Sequence, residues 1–261
     1  MDFITLSHKG MVRPNNEDSV EAVRIVSSGP NGPFLDVLAL ILADGMGGAM
    51  AGEFASSLAI KTVKSDFLKN VLGQPPENLL HADMSKFLTD CFQQANSIIY
   101  QKSKENPDFQ GMGTTIVTGI VYRDQLLMGH IGDSRGYLYR ASVLEQVTHD
   151  HSMVQELVDR GELTREAAFS HPNRNIITRA VGVDPFVEGE FKKVPLAKGD
   201  IVLLCSDGLC GLADDHAIEK IVRDFVGSEE TNLMVLANRL IETANLLGGT
   251  DNVSVALYRH A

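Results

Sequence analysis

Apolar, strand-like runs in this 261-residue chain repeatedly end on an aspartate, and that punctuation narrows what the chain can fold into. Leu42-Ala43-Asp44-Gly45, Ile131-Gly132-Asp133-Ser134-Arg135 and Leu204-Cys205-Ser206-Asp207-Gly208 all show it. Thr250-Asp251-Asn252-Val253 reverses the order, and Asn16-Glu17-Asp18 adds two carboxylates beside a strand start. Any one of these aspartates is explained as a turn former whose side chain bonds nearby backbone amides. As a set they ask for more. A sandwich of sheets brings strand ends to one edge, and carboxylates gathered there repel unless a cation lies between them. Mg²⁺ and Mn²⁺ take carboxylate, carbonyl and water oxygens, and a glycine after the aspartate lets a backbone carbonyl approach. An oxygen-only two-metal site is therefore expected. Such a site activates a water and clamps a phosphoryl group for in-line attack without a protein nucleophile. Arg13, five residues before Asp18 on the same turn, has the guanidinium shape that grips phosphate. A surface arginine paired with one of the acids is the plainer reading of that residue.

The pattern between these motifs predicts an α+β fold. Residues 5–12 and 20–27 read as strands around a polar turn, and 34–43 as a longer one. Residues 51–72 read as a helix with Phe54, Leu58, Val63, Phe67 and Val71 roughly on one face. Pro75-Pro76 breaks it before a second helix at 82–104. Strands at 115–122, 125–130, 136–140 and 143–147 are close enough for hairpins. Residues 152–182 turn helical and loop-like, 201–205 is a buried strand, two helices follow at 215–226 and 232–247, and 253–258 is a last strand. Clustered strands with paired helices favour a layered α+β domain over a doubly wound parallel sheet. No composition break divides the chain, which reads as one domain over 1–261.

Composition excludes several function classes. With 23 Lys+Arg against 34 Asp+Glu the formal charge is −11, so the chain has no global attraction for nucleic acid, and no basic patch offsets this. Cys91, Cys205 and Cys210 are too few and scattered for a disulfide framework or zinc knuckle. No apolar run approaches the roughly 18 residues that cross a bilayer, and the first residues lack a secretory pattern. A cytoplasmic protein without membrane partners is the expectation.

Arg13-x-x-Asn16-Glu17-Asp18, Ala43-Asp44-Gly45-Met46-Gly47-Gly48, Gly113-Thr114-Thr115, Gly132-Asp133-Ser134-Arg135, Ser206-Asp207-Gly208 and Asp251-Asn252 occur in the order seen in the PP2C-like (PPM) metal-dependent protein serine/threonine phosphatases. The resemblance runs from about residue 5 to 258, and the compact length and Met46 resemble the bacterial branch. It implies a four-layer αββα sandwich of two antiparallel sheets flanked by helix pairs. It implies two Mn²⁺ or Mg²⁺ ions at one edge, with a third, weaker one in bacterial relatives. Asp44 resembles the carboxylate bridging both metals, and Gly45 the carbonyl ligand. Asp207 and Asp251 match acids on one metal, and Glu17 and Asp18 match outer or water-mediated ligands. Asp133 matches a ligand of the third metal, and Ser170 is a further candidate for that ion. Arg13 matches the substrate-phosphate clamp; the catalytic set is Arg13, Asp44 and Asp207. A flap maps to about 149–182. The implied partners are phosphorylated proteins, a Ser/Thr kinase and its targets among them, and a monomer is the default. A non-catalytic module of the same fold, sensing phosphoproteins or metal, is the alternative.

One departure matters. Many eukaryotic members carry a histidine where this chain has Met46, which cannot protonate a leaving alkoxide; a metal-bound water could serve instead, and His151 and His171 on the flap are weaker candidates. Gly132-x-Ser134-x-Gly136 matches the form of a nucleophile elbow, but a strand rather than a helix is expected after it. His149-Asp150-His151 lacks a third zinc ligand at a suitable spacing and reads as a polar loop. Arg179 reads as a structural ion pair, and Gly113-Thr114-Thr115 as packing beneath the site. The Gly45-Met46-Gly47-Gly48 turn lacks the lysine and hydroxyl of a nucleotide-phosphate loop.

Overall fold

The run at 37–43 is apolar at every position because both of its faces are buried. Val37, Ala39, Ile41 and Ala43 pack under helices, while Leu38, Leu40 and Leu42 face a second sheet. Residues 201–205 do the same, with Ile201, Leu203 and Cys205 on one side and Val202 and Leu204 on the other. A computed structural model describes residues 2–29, 32–73, 83–228 and 230–261. The expected Pro75-Pro76 loop and Ala82, the first residue expected in the second helix, lie outside them.

The strands are β1 (Phe3–His8), β2 (Asp18–Gly29), β3 (Gly32–Met46), β4 (Gly113–Thr114), β5 (Ile116–Tyr122), β6 (Gln125–Ile131), β7 (Arg135–Arg140), β8 (Val143–Gln146), β9 (Glu190–Pro195), β10 (Ile201–Cys205) and β11 (Val253–Arg259). One sheet runs β1-β11-β10-β7-β8 and the other β2-β3-β5-β6-β9, with β4 paired to β3. All of these pairings are antiparallel. Helices α1 (Ala49–Leu72) and α2 (Met84–Glu105) cover the second sheet through Ala55, Ile60, Val63, Phe67, Phe92 and Ile99. Helices α6 (Asp215–Val226) and α7 (Leu233–Leu246) cover the first through Ile218, Phe225, Leu236 and Leu240. Between β8 and β9 lie α3 (Met153–Asp159) and α4 (Arg165–Phe169), and a single turn, α5 (Asp207–Cys210), follows β10. The layers are thus αββα, as the resemblance implies. Each fully buried leucine between them contributes roughly 1.5–3 kcal/mol.

Antiparallel pairing explains why the acids meet. The start of β2 lies beside the end of β3, so Asp18 is the cross-strand partner of Asp44. The end of β10 meets the starts of β7 and β11, with Cys205 opposite Arg135 and Val255. Asp207 and Asp251 flank these same strand ends.

The structure departs from the sequence reading in three places. β1 covers Phe3–His8 rather than 5–12; after His8 the chain leaves the sheet, Met11 N–H bonds the Gly249 carbonyl (2.8 Å), and the loop carries Arg13 to the site. β9 was not expected, because an exposed edge strand with Lys192 and Lys193 has no apolar alternation to reveal it. The single turn α5 falls directly on Asp207. Among the described residues no helix is long and apolar enough to cross a membrane.

Candidate metal centre

Asp44, Asp18 and Glu17 at the shared edge are held by bonds to distant parts of the chain. The Asp44 N–H donates to Thr115 Oγ1 (3.0 Å), and its carbonyl accepts from Thr115 N–H and Thr114 Oγ1 (both 2.8 Å). Thr115 Oγ1 also bonds Ser134 Oγ (2.8 Å), linking the end of β3 to the turn that carries Asp133. Gly113-Thr114-Thr115 is therefore a tether rather than packing alone. Ser206, the N-cap of α5, donates its hydroxyl to Asp18 Oδ2 (2.8 Å) and accepts the Ser254 N–H (3.0 Å). Asn252 Oδ1 accepts the Glu17 N–H (2.8 Å), and its Nδ2 donates to the carbonyls of Lys9 (2.9 Å) and Asn15 (2.8 Å). Sequence reasoning did not single out the roles of Thr115, Ser206 and Asn252, because nothing local marks a partner more than forty residues away.

Gly208 is where the backbones of two acid-bearing segments touch. A Cβ there would lie 1.9 Å from the Asn252 carbonyl oxygen. Gly208→Ala is expected to destabilise the protein by about 1–3 kcal/mol or more through that collision, pushing Asp207 and Asp251 apart. A denaturant titration checks it; an unchanged midpoint contradicts the close approach.

A cleft of about 270 Å³ opens on the result, lined by Arg13, Glu17, Asp44, Gly45, Asp133, Asp207 and Asp251, with Asn175 and Ile177 reaching in from the far side. Arg13 Nη2 bonds Asp251 Oδ2 at 2.7 Å across its rim. Asp18 sits beneath, and its Oδ1 is buried with no hydrogen-bond partner among the described residues. The electrostatics agree with the geometry. Burial, followed by the charges of Asp18, Asp207 and Asp133, holds the Asp44 carboxyl well above its ordinary range. Burial, then Asp207 and Asp150, does the same to Asp133. Burial and the Asp251 charge raise Asp207, while Asp44 and Asp207 lie within hydrogen-bond reach of each other. Burial pushes Asp18 up to about 7 against the pull of the Ser254 and Ser206 hydroxyls. Burial also raises Glu17.

These shifts carry a sign for stability. Unfolded aspartate releases its proton near 3.9, whereas the folded cluster holds its protons to higher pH. Protons bound preferentially by the folded state stabilise it. The acid cluster of the metal-free protein is therefore expected to contribute stability that is lost as pH rises from about 4 through about 7, where Asp18 titrates, while His151 and His130, lowered by burial, contribute with the opposite sign. Thermal melts in chelator of the wild type against Asp18→Asn isolate this contribution, and a wild-type melting temperature that does not fall relative to the variant's across that range contradicts the arrangement.

Not every sequence candidate reaches the cleft. Ser170 is exposed, its hydroxyl facing only the Ala167 carbonyl at 3.5 Å, and it lines no part of the cleft; Asn175 on the same segment does. His171 accepts the Asn173 N–H on Nδ1 (3.1 Å) and also stays outside. His151 is buried at 3% exposure, and burial, with His130 and Arg179 nearby, pushes its pKa down to about 4, so it is a neutral interior group rather than a leaving-group acid. Ser134 is followed by β7, which removes the nucleophile-elbow reading. Arg179 bonds Glu190 (3.1 Å), away from the acid cluster.

His130, His151 and Glu190 place one ligand atom each within 4.8 Å of one another, the one His/Cys/Asp/Glu group of that tightness among the described residues. The two imidazoles are stacked, with centroids 4.7 Å apart and planes 20° apart, so their lone pairs run nearly parallel and do not converge on one ion. The Arg179 guanidinium lies 3.2 Å from His151 Nε2 and 3.1 Å from Glu190, supplying the positive charge itself. The donors that suit a hard divalent cation are the carboxylates and the Gly45 carbonyl of the cleft, with the orphaned buried Oδ1 of Asp18 beneath them.

Comparison with known proteins agrees. Residues 17–242 match the family model described as protein phosphatase 2C. The chain is 36% identical over 249 residues to the serine/threonine phosphatase stp of Listeria monocytogenes, covering 95% of this chain and 92% of that protein. It superimposes with a TM-score of 0.83 on the Streptococcus agalactiae serine/threonine phosphatase, at 33% identity and covering 99% of both chains. The catalytic domain of the serine/threonine phosphatase PstP, solved in complex with two manganese ions, gives a TM-score of 0.79 at 36% identity, covering 98% of this chain and 96% of that one. With the fold, the ordered motifs and the gathered carboxylates all in place, the chain belongs to the protein phosphatase 2C family.

Proposed function

We propose that this chain hydrolyses phosphoserine and phosphothreonine in proteins, with two Mn²⁺ or Mg²⁺ ions held by Asp44, the Gly45 carbonyl, Asp207 and Asp251, and a third, weaker one near Asp133. The observation that carries it is the convergence of carboxylates from five separated segments on one cleft, where burial and mutual repulsion raise the pKa of Asp44, Asp133 and Asp207. A bound cation pair would lower the pKa of a shared water and polarise the phosphoryl oxygens.

The chain's own residues do the rest. Asp44, in reach of Asp207 and held at its backbone by Thr114 and Thr115, would be a ligand of the cation pair. Glu17 and Asp18 stand behind as outer acids, Asp18 fixed by Ser206. Arg13 is both readings at once. It pairs with Asp251, and at 49% side-chain exposure it keeps N–H groups turned to solvent at the rim, where a phosphate monoester would arrive. Arg13→Ala is expected to lower kcat/KM on a phosphothreonine peptide about 10–10²-fold, the scale of one charge-assisted contact to phosphate. Arg13→Lys should recover part of it; an alanine variant at wild-type kcat/KM removes the clamp.

The non-catalytic alternative loses its footing because every inner carboxylate is present and gathered. Release of inorganic phosphate from phosphoserine and phosphothreonine peptides in Mn²⁺, against none from the same peptides with the protein omitted, tests the reading; no release despite tight metal binding returns it to a sensing module. We read the chain as one catalytic domain with a flap at about 149–182, supported by Asn175 and Ile177 reaching the cleft from that segment. Its substrates would be phosphoproteins, a Ser/Thr kinase and its targets among them. A cytoplasmic monomer is the proposed setting, in keeping with three buried free thiols.

A further inference from the structure

The tripeptide His149-Asp150-His151 has no place in the reaction as described, yet it grips the end of β6, the turn after it and the start of β7. The His149 carbonyl meets His130 Nε2 at 2.6 Å. The Asp150 carboxylate takes Arg135 Nε at 2.9 and 3.1 Å. His151 takes the residue in the middle: its N–H donates to the Gly132 carbonyl (3.0 Å), and its Nδ1 accepts the Gly132 N–H (3.1 Å). Both polar backbone atoms of the residue preceding Asp133 are thereby spent on one side chain and its own main chain.

Asp133 depends on that grip. The hydrogen bond that steadies its buried carboxyl comes from its own backbone, so the shape of the turn sets its aim. The turn is tight: Gly132 has φ +104°, and a Cβ there would lie 2.6 Å from Thr115 Cγ2. On its other side His151 holds the flap. Its carbonyl accepts the Thr178 N–H (2.8 Å), and the Met153 N–H bonds the Ile176 carbonyl (2.8 Å), closing the segment's two ends against each other. The ring cannot swing away, because it stacks on His130 and its Nε2 faces Glu190 Oε1 at 3.1 Å. Nδ1 accepts from Gly132, which assigns the ring proton to Nε2.

We propose that His151 is a positioning residue that joins the base of the flap to the Asp133 turn, so that the seating of the flap and the aim of the Asp133 carboxylate are set together. The part concerning metal rests on the reading of Asp133 as a cation ligand; the clasp itself does not.

Two substitutions separate the bonds. His151→Asn keeps an acceptor where Nδ1 stands, and His151→Gln keeps a donor toward Glu190 while losing the acceptor for Gly132. In metal-free protein, hydrogen exchange at the Gly132 amide is expected to speed up about ten-fold in the glutamine variant, the size of one lost buried hydrogen bond, and to stay near wild type in the asparagine variant. Mn²⁺ titration followed by the resonance of the free ion should show the weakest site weakened in the glutamine variant and retained in the asparagine variant. Asp133→Asn should lose that site with Gly132 exchange unchanged. Protection at Gly132 in the glutamine variant, or an asparagine variant no better than the glutamine one, overturns the proposal. An Asp133→Asn protein that keeps every Mn²⁺ site overturns only the ligand reading, leaving the exchange data to judge the clasp.

Discussion

Asp207→Asn ends turnover and leaves a folded protein. The expected loss in kcat on a phosphothreonine peptide is at least ~10³-fold, about 4 kcal/mol of barrier. The amide is isosteric with the carboxylate but withdraws one negative charge from the centre of the cleft and cannot answer a second cation. The effect on stability runs the other way. In metal-free protein Asp207 repels Asp251 and presses on Asp44, all in a buried cluster. Removing its charge relieves that repulsion, so the melting temperature in chelator should rise by a few degrees, a shift that corresponds to roughly 1 kcal/mol. Activity lost through unfolding would show the opposite shift. A variant within about ten-fold of wild-type kcat contradicts the role given to this acid.

Removal of metal is the second large effect. A chelator should bring hydrolysis of an aryl phosphate to the uncatalysed background, and excess Mn²⁺ should restore it. The same addition should stabilise the fold by about 2.7 kcal/mol for each site filled at one hundred times its dissociation constant. Because burial and mutual repulsion raise the pKa of Asp44, Asp133, Asp18 and Asp207, metal and protons compete for the same oxygens. The stabilisation by Mn²⁺ should therefore be larger near pH 8 than near pH 5. Full activity after exhaustive chelation contradicts the whole scheme.

The acids were legible in the sequence because a local rule writes them there: an aspartate at the end of an apolar strand, followed by a residue that lets the chain turn. The same rule exposed the buried strands β3 and β10, whose two covered faces leave no polar position. What holds the acids was hidden, since Asn252 reaching Glu17 and Ser206 reaching Asp18 are bonds of the folded molecule with no local signature. β9 was hidden for the converse reason: it is an exposed edge whose lysines obey solvent rather than a pleat. The expected place of Ser170 failed because position along a flap does not fix which face of it meets the cleft, and here Asn175 and Ile177 do so. Residue type and position on the flap suggest His151 as an acid; burial and its bond from Gly132 make it a structural acceptor instead.

The account stands on a cation pair among acids brought together from β3, β10 and the start of β11. Anomalous scattering at the manganese edge, from crystals grown in Mn²⁺, sees those ions without reference to activity. The result predicted here is two strong peaks inside the cleft with Asp44 against both and Asp207 and Asp251 on one. Peaks confined to His130 and Glu190, or no manganese beside Asp44 and Asp207, would contradict it.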